Sequence, residues 1–468
     1  MNIIEAIHDH RFFRPIFRDL DTWGAWFTYL RALFGLPLDI KKEGKLFESC
    51  TGLETIPRQR SRESFVICGR RSGKSFISSI IAIYLATFKN WREVLSPGER
   101  GYIFIIANDK NQARIIKNYV SGILNSGSSF RSMIMKDKTW EVDLNNCVTI
   151  AVHTCSFRTL RGYTLLAAIC EELAFWRSED SANPDREILT ALRPALAQFP
   201  KDSMLLGIST PYSRRGVLFE AFKKHYGQGG GPLVWRSPTA TMNPTISKKL
   251  IEEAFEEDPQ GALSEYDAVF RTDIEQLIPL EAIEAVTIPG RYELPRIRAT
   301  EYQAFTDPSG GRQDSFTLGI AHKDKKSKVI LDLLREAKPP FEPEKVTVEF
   351  AGVLRGYGIS TVEGDRYAGE WVTDSFKRNG ISVRSSKLNK SEIYLELLPM
   401  INSGRCELLD NKRLGLQLNS LERRTRIGGK DSIDHLPGLH DDLANAAAGA
   451  IIRADKKSRS RVRIRSLT

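Results

Sequence analysis

The sequence predicts an α/β protein of two domains, the first built on a mostly parallel sheet, and three observations lead to it. From Ser64 to about Thr210 short apolar, β-rich runs alternate with helical ones. Such alternation, with nearly continuous apolar strands, is the pattern of a parallel sheet covered on both faces. After a looser stretch over 271–300, with prolines and mixed charge, the order changes to three strand-like runs in succession. The length, 468 residues, exceeds one ordinary core and calls for two or three domains.

The elements follow in order. Residues 1–52 form a helical segment, because "LDTWGAWFTYLRALFGLPLD" repeats its aromatic and aliphatic residues at helical spacing; Trp23, Trp26 and Phe27 read as core. The first domain, 53–270, opens with the strand "SFVICG" and the helix "KSFISSIIAIYLATF". It continues through "GYIFIIAND", "QARIIKNYVSGIL", "CVTIAVHT", "LLAAICEE" and "SMLLGIST". Residues 271–300 are the boundary. The second domain, 301–455, begins with the strands "EYQAFTD", "SFTLGIAHKD" and "KVILDLLREA". A helix, the strand "STVEGD" and further helix and strand follow. Residues 456–468 are a basic tail.

Composition bounds the class. Hydrophobic residues at 41% and charged residues at 27% fit a globular protein. No run approaches the roughly 18 uninterrupted apolar residues of a membrane span, and "MNIIEAIHDHRFFRPIF" lacks a signal peptide's apolar block and cleavage site. A cytoplasmic protein without a membrane partner is expected. Cys50, Cys68, Cys147, Cys155, Cys170 and Cys406 contain no CxxC pair and read as reduced thiols. The seven histidines lack metal spacing. The net charge is +10, and Lys456, Lys457, Arg459, Arg461, Arg463 and Arg465 fall in the last 13 residues, which hold no acid. That tail reads equally as a solvated, disordered end or as a nucleic-acid or partner contact.

In "SFVICGRRSGKS" an apolar strand runs into a glycine turn and a Gly-Lys-Ser. The loop Gly69, Arg70, Arg71, Ser72, Gly73 is expected to face phosphates with its N–H groups. Lys74 carries a positive charge onto the β- and γ-phosphates, and Ser75 offers a hydroxyl to Mg²⁺, so ATP with Mg²⁺ is the expected cofactor. The spacing departs from the usual one, with Cys68 where the first glycine normally stands and Gly69 one residue later. In "LLAAICEELAFW" an apolar strand ends in Glu171 and Glu172. The first acid of such a pair holds a Mg²⁺ water and the second polarises the attacking water. Ser209, Thr210 and Pro211 close another apolar strand, where hydroxyls sense the γ-phosphate. An arginine at that phosphate accelerates transfer, a role open to Arg70 in cis; the alternative is that Arg70 and Arg71 face solvent or hold the loop through a neighbouring acid.

In the second domain Asp307 ends "QAFTD", Asp365 ends "TVEGD", and Asp441 and Asp442 open the helix of "LHDDLANAAAGAIIRA". Three acids, two at strand ends and one in a first helical turn, suit a ribonuclease H-like fold holding two Mg²⁺ or Mn²⁺ ions on oxygen ligands. Asp442 is the preferred ligand, since Asn445, Ala446 and Gly449 share its helical face and leave room for metal and DNA. Asp441 is then the N-cap, and Asp314 a fourth candidate ligand.

These residues together resemble the large terminase subunit of tailed bacteriophages, a DNA-packaging ATPase and nuclease, over roughly Arg58 to Asp455. The resemblance rests on the arginine-containing phosphate loop, on "EELAFW", on Ser209 to Pro211, and on the long run from "KSEIYLELLPMINSGRCELLD" to "HDDLANAAAGAI". The family's first acid is Asp where this chain has Glu171. The resemblance implies a RecA-like ATPase domain followed by a nuclease domain, ATP-driven translocation of double-stranded DNA into a procapsid and cleavage of concatemers. It also implies a portal protein and a small terminase subunit as partners, and a homo-oligomeric ring. A cellular helicase-nuclease and a non-hydrolysing, ATP-gated assembly adaptor are the competing classes.

Overall fold

The computed structural model describes the chain except residues 156–161, 179–180, 313, 365–369, 426–430, 437–438 and 463–468, and the side chains of 370 and 457–462. It divides into two compact units, Met1–Ser178 with Asn183–Thr272, and Asp273 onward.

The first unit is built on β1 (Glu63–Cys68), β2 (Gly101–Ala107), β3 (Ile134–Asp137), β4 (Glu141–Leu144), β5 (Val148–Thr154), β6 (Thr164–Glu171), β7 (Met204–Ser209) and β8 (Leu233–Ser237). They form one sheet in the order β3-β4-β5-β2-β6-β7-β1-β8. Pairings at the β3–β4–β5 edge are antiparallel and all others parallel. This is a P-loop domain of RecA-like order: β7 lies between β1, which feeds the glycine loop, and β6, which ends in the acids. The strands β1, β6 and β7 are buried almost throughout, which is why they read as unbroken apolar runs.

The helix Lys74–Phe88 is buried on nearly all sides. The sheet covers one face, and the aromatic residues of the N-terminal segment meet the other. Trp26 and Phe27 are buried, as expected of core residues. Trp23 is half-buried, with its ring 5.1 Å from that of Phe76. All six cysteines are free thiols.

The second unit contains β9 (Ile274–Gln276), β10 (Tyr302–Asp307), β11 (Phe316–Lys323), β12 (Val329–Ala337), β13 (Thr361–Gly364), β14 (Ser382–Ser385), β15 (Cys406–Glu407), β16 (Leu421–Arg424) and β17 (Ser432–His435). The main sheet runs β14-β13-β10-β11-β12-β15, and a smaller one β17-β16-β9. Antiparallel β10, β11 and β12 followed by parallel β13 and β14 on the other side of β10 is the ribonuclease H-like arrangement.

The helix Asp442–Val462 lies across β10 and β11 at close range. A Cβ on Gly449 would fall 2.2 Å from the Phe305 ring, and one on Gly319 would fall 2.4 Å from the Ala446 carbonyl. This corrects the reading of Ala446 and Gly449 as room for metal and DNA. The smallness of Gly449 and Gly319 lets the helix touch the sheet, Phe305 fills the space at Gly449, and Ala446 is fully buried in that contact.

The same helix continues through Val462 and so takes in the first part of the basic tail. A long buried helix supplies the nucleus, and lysine and arginine extend it at little cost. Among the described residues no helix is long and apolar enough to cross a membrane.

Candidate functional site

In the first unit the glycine loop is shaped by close contacts. A Cβ at Gly69 would lie 2.1 Å from Thr239 Oγ1 and 2.7 Å from the Glu265 carbonyl, so only glycine fits where β1 turns. Gly73 has φ of 90°, and its absent Cβ would meet the Trp23 ring at 2.8 Å. Arg71, at φ 64°, adopts the left-handed region without being glycine.

The loop brings Lys74 and Ser75 to the strand-end acids. The Lys74 ammonium donates to Thr210 Oγ1 at 2.8 Å and to the Gly69 carbonyl at 3.1 Å, and lies 3.4 Å from Glu172 Oε1. Burial alone would lower its pKa, but the charges of Glu172 and Glu171 outweigh burial and hold it above its ordinary value. Ser75 Oγ donates to Glu171 Oε2 at 3.1 Å, while Glu171 Oε1 is buried without a hydrogen-bond partner. Burial pushes the Glu171 carboxyl up to about 7, with the Glu172 charge adding to the rise.

An unpartnered carboxylate oxygen beside a serine hydroxyl fits a hard cation such as Mg²⁺. Glu172, at φ 50°, turns its carboxylate the other way, where Oε2 accepts from Ser209 Oγ and from the Thr210 amide, both at 3.2 Å. Lys74, Ser75, Glu171, Glu172 and Thr210 therefore form one connected cluster at the carboxyl ends of β1, β6 and β7, where open α/β sheets bind ligands. Arg70 points elsewhere: its guanidinium lies 3.4 Å from Glu265 and is well exposed, the loop-holding arrangement. The loop residues Arg71 and Ser72 contribute backbone only, apart from a contact of Ser72 Oγ with Cys68 Sγ at 3.3 Å.

The second unit has a cavity of about 860 Å³ lined by Asp307, Asp314, Lys390, His440, Asp441 and Asp442 among others. Asp307 ends β10 and accepts from Asn445 Nδ2 at 2.8 Å; Asn445 Oδ1 is buried without a partner. Asp442 Oδ2 accepts from the Ser315 amide at 3.1 Å. Burial pushes the Asp442 carboxyl up to about 6, and the charges of Asp441 and Asp314 add to it. Asp314 lies 3.4 Å from His440.

Gly364, the last residue of β13, pairs with Thr306 beside Asp307; Asp365 itself lies outside the described residues. Among the described residues no group of three or more histidine, cysteine, aspartate or glutamate side chains is gathered to hold a metal ion. Asp307, Asn445 and Asp442 nonetheless present oxygen donors around one cavity, a donor set suited to Mg²⁺ or Mn²⁺.

Asp441 stands at the N-cap position, where its carbonyl accepts from the Asn445 amide at 2.8 Å, but its side chain does not cap the helix. Its carboxylate accepts from Tyr394 Oη at 2.9 Å and pairs with Lys390 at 3.0 Å, while Gln417 Oε1 takes the Ala444 amide that a cap would bind. A buried carboxylate is held more firmly by an ammonium and a phenol than by one amide. Lys390 also donates to Asp434 of β17 at 3.1 Å. Neither Lys390 nor Tyr394 was legible as a site residue, because each is about fifty residues from its partner. The only local signal there is the Asn389/Glu392 capping box that starts their helix.

A family model described as "Uncharacterized protein MJ0330, N-terminal P-loop domain" matches residues 41–268. No curated protein matches the sequence. Among solved structures, the HK97 bacteriophage large terminase is similar over 96% of this chain and 99% of its own, at 14% identity and a TM-score of 0.42. A mutant of the ATPase domain of a Thermus phage large terminase is similar over 52% of this chain and 98% of its own, at 18% identity and a TM-score of 0.36. The large terminase nuclease of thermophilic phage G20c with bound magnesium is similar over 37% of this chain and 96% of its own, at 13% identity and a TM-score of 0.33.

Proposed function

We propose that this chain is a viral DNA-packaging motor subunit that hydrolyses ATP to move double-stranded DNA into a procapsid and cleaves concatemeric DNA with a metal-dependent endonuclease. The observation that carries the reading is the presence of two carboxylate sites of different build in one chain. One couples a phosphate loop to paired strand-end glutamates; the other opens an acidic cavity on a ribonuclease H-like sheet. The resemblance of "EELAFW" and of the long run through "HDDLANAAAGAI" to large terminases supports the same assignment. The working partners are double-stranded DNA, a portal protein, a small terminase subunit and further copies of this chain in a ring, in the host cytoplasm and docked on the procapsid.

In the first site Lys74 holds the β- and γ-phosphates, and the loop amides of Arg71, Ser72 and Gly73 surround them, the Arg70 amide being taken by the Glu265 carbonyl. Ser75 and Glu171 would hold Mg²⁺, which would supply positive charge against the phosphates. Glu172 accepts the proton of the attacking water. Its ties to Ser209 and Thr210 keep its carboxylate in place and connect it to the end of β7. Arg70 reaches the γ-phosphate by leaving Glu265. In the second site Asp307, Asp365 and Asp442 would hold Mg²⁺ or Mn²⁺, whose chemistry there would be to lower the pKa of a water and to offset charge on the leaving oxygen. Asn445 orients Asp307.

Phosphate-release and plasmid-nicking assays on full-length variants, with and without EDTA, test the reading. Lys74→Ala abolishes ATP turnover and keeps nicking. Glu172→Gln stops turnover but keeps nucleotide binding. Asp442→Ala and Asp365→Ala lose nicking and keep ATP turnover. Nicking that survives EDTA, or turnover that survives Lys74→Ala, refutes the corresponding half.

A further inference from the structure

Three consecutive carbonyls of the phosphate loop are each held by a side chain from outside the loop. Thr239 Oγ1 donates to the Arg70 carbonyl at 2.8 Å, Asn243 Nδ2 donates to the Arg71 carbonyl at 2.8 Å, and Trp26 Nε1 donates to the Ser72 carbonyl at 2.6 Å. Trp26 and Thr239 are fully buried. The orientation of the Asn243 amide is fixed independently, since its Oδ1 accepts from the Thr245 amide at 3.2 Å and from Thr245 Oγ1 at 2.6 Å.

The three donors come from places far apart in sequence. Trp26 lies in the helix Gly24–Leu33, Thr239 opens the short helix Thr239–Met242, and Asn243 follows it. Across a planar trans peptide the carbonyl and the next N–H point in opposite directions. Pinning the carbonyls of Arg70, Arg71 and Ser72 outward therefore turns the N–H groups of Arg71, Ser72 and Gly73 to the other side. The middle pin acts on Arg71, whose left-handed backbone disfavours any side chain and would relax if released.

We propose that Trp26, Thr239 and Asn243 are positioning residues of the nucleotide site, which hold the loop in its phosphate-binding shape before phosphate arrives. This inference rests on the nucleotide reading above. It gives the N-terminal segment a share in the site, because Trp26 is otherwise an ordinary core residue whose indole N–H needs a partner. A loop already shaped does not lose ordering entropy on binding, so the donors act on affinity for the phosphate chain.

The test uses the full chain with Trp26→Phe, Thr239→Val and Asn243→Leu, each of which removes a donor, the last two at nearly constant volume and the first with the loss of one buried ring. Dissociation constants for ADP and for inorganic tripolyphosphate are measured by calorimetry, together with Tm with and without ligand. Each variant weakens both ligands about fivefold, the size of one hydrogen bond, and the triple variant weakens them by roughly two orders of magnitude if the pins act separately. Thr239→Ser, which restores a hydroxyl, returns affinity to the parent value. Parent-like affinity in all three variants, or a lowered Tm with an unchanged ligand-dependent rise, overturns the inference alone. A parent chain that binds neither ligand overturns the nucleotide reading and this inference with it.

Discussion

Glu171→Gln tests the electrostatics of the first site most directly. The carboxyl is buried, Oε2 accepts from Ser75, and Oε1 has no partner. Burial pushes its pKa up from 4.5 to about 7. Because the folded value lies above the unfolded one, this group's contribution to stability is fully present below about pH 4.5 and is lost as pH rises through about 7. At 1.36 kcal/mol per unit, the cost of ionising it in the folded chain reaches about 3 kcal/mol at alkaline pH. Gln keeps the size and the acceptor for Ser75 and cannot ionise. Relative to the parent, Glu171→Gln therefore gains about 2–3 kcal/mol between about pH 5 and pH 8 in the absence of nucleotide.

The assay is denaturant unfolding of the first unit's signal at both pH values, repeated with ATP and either Mg²⁺ or EDTA. In the parent, Mg²⁺ with ATP removes most of the alkaline penalty, since a cation beside the carboxylate favours its charged form. In the variant, exchanging Mg²⁺ for EDTA changes stability less than in the parent. A variant-minus-parent difference that is the same at both pH values refutes the reasoning, because it leaves Glu171 ionised at no cost and the site without need of a cation.

Two further outcomes follow from packing and charge. Gly449→Ala places a Cβ 2.2 Å from the Phe305 ring, so the second unit loses about 1–3 kcal/mol of stability, read by chemical denaturation, while ATP turnover is unchanged; an unchanged midpoint would show that the helix rides freely on the sheet. Ending the chain after Lys456, which spares its 2.8 Å bond to Glu396, weakens DNA binding and flattens the logarithmic salt dependence by about 0.9 for each phosphate no longer neutralised. An equal slope returns the tail to the solvated reading.

The sequence by itself determined the fold class, because the features that carry it are local. Buried parallel strands appear as unbroken apolar runs such as "SFVICG" and "SMLLGIST", and the Gly-Lys-Ser and the Glu171/Glu172 pair stand at the ends of such runs. Tertiary structure alone decided what each neighbouring side chain faces. Asp441 and Asp442 are adjacent in sequence, yet one is taken by Lys390 and Tyr394 and the other is bound by the Ser315 amide. Gly449, on the helical face of Asp442, looked like space for a ligand, but it is filled by Phe305. Arg70 faces Glu265, and the loop's carbonyls are pinned by Trp26, Thr239 and Asn243, all distant along the chain. The physical reason is one of range. Periodicity and turn chemistry act over a few residues and can be read in order, whereas hydrogen bonds and close packing act over about 3–4 Å between segments that only the folded chain brings together.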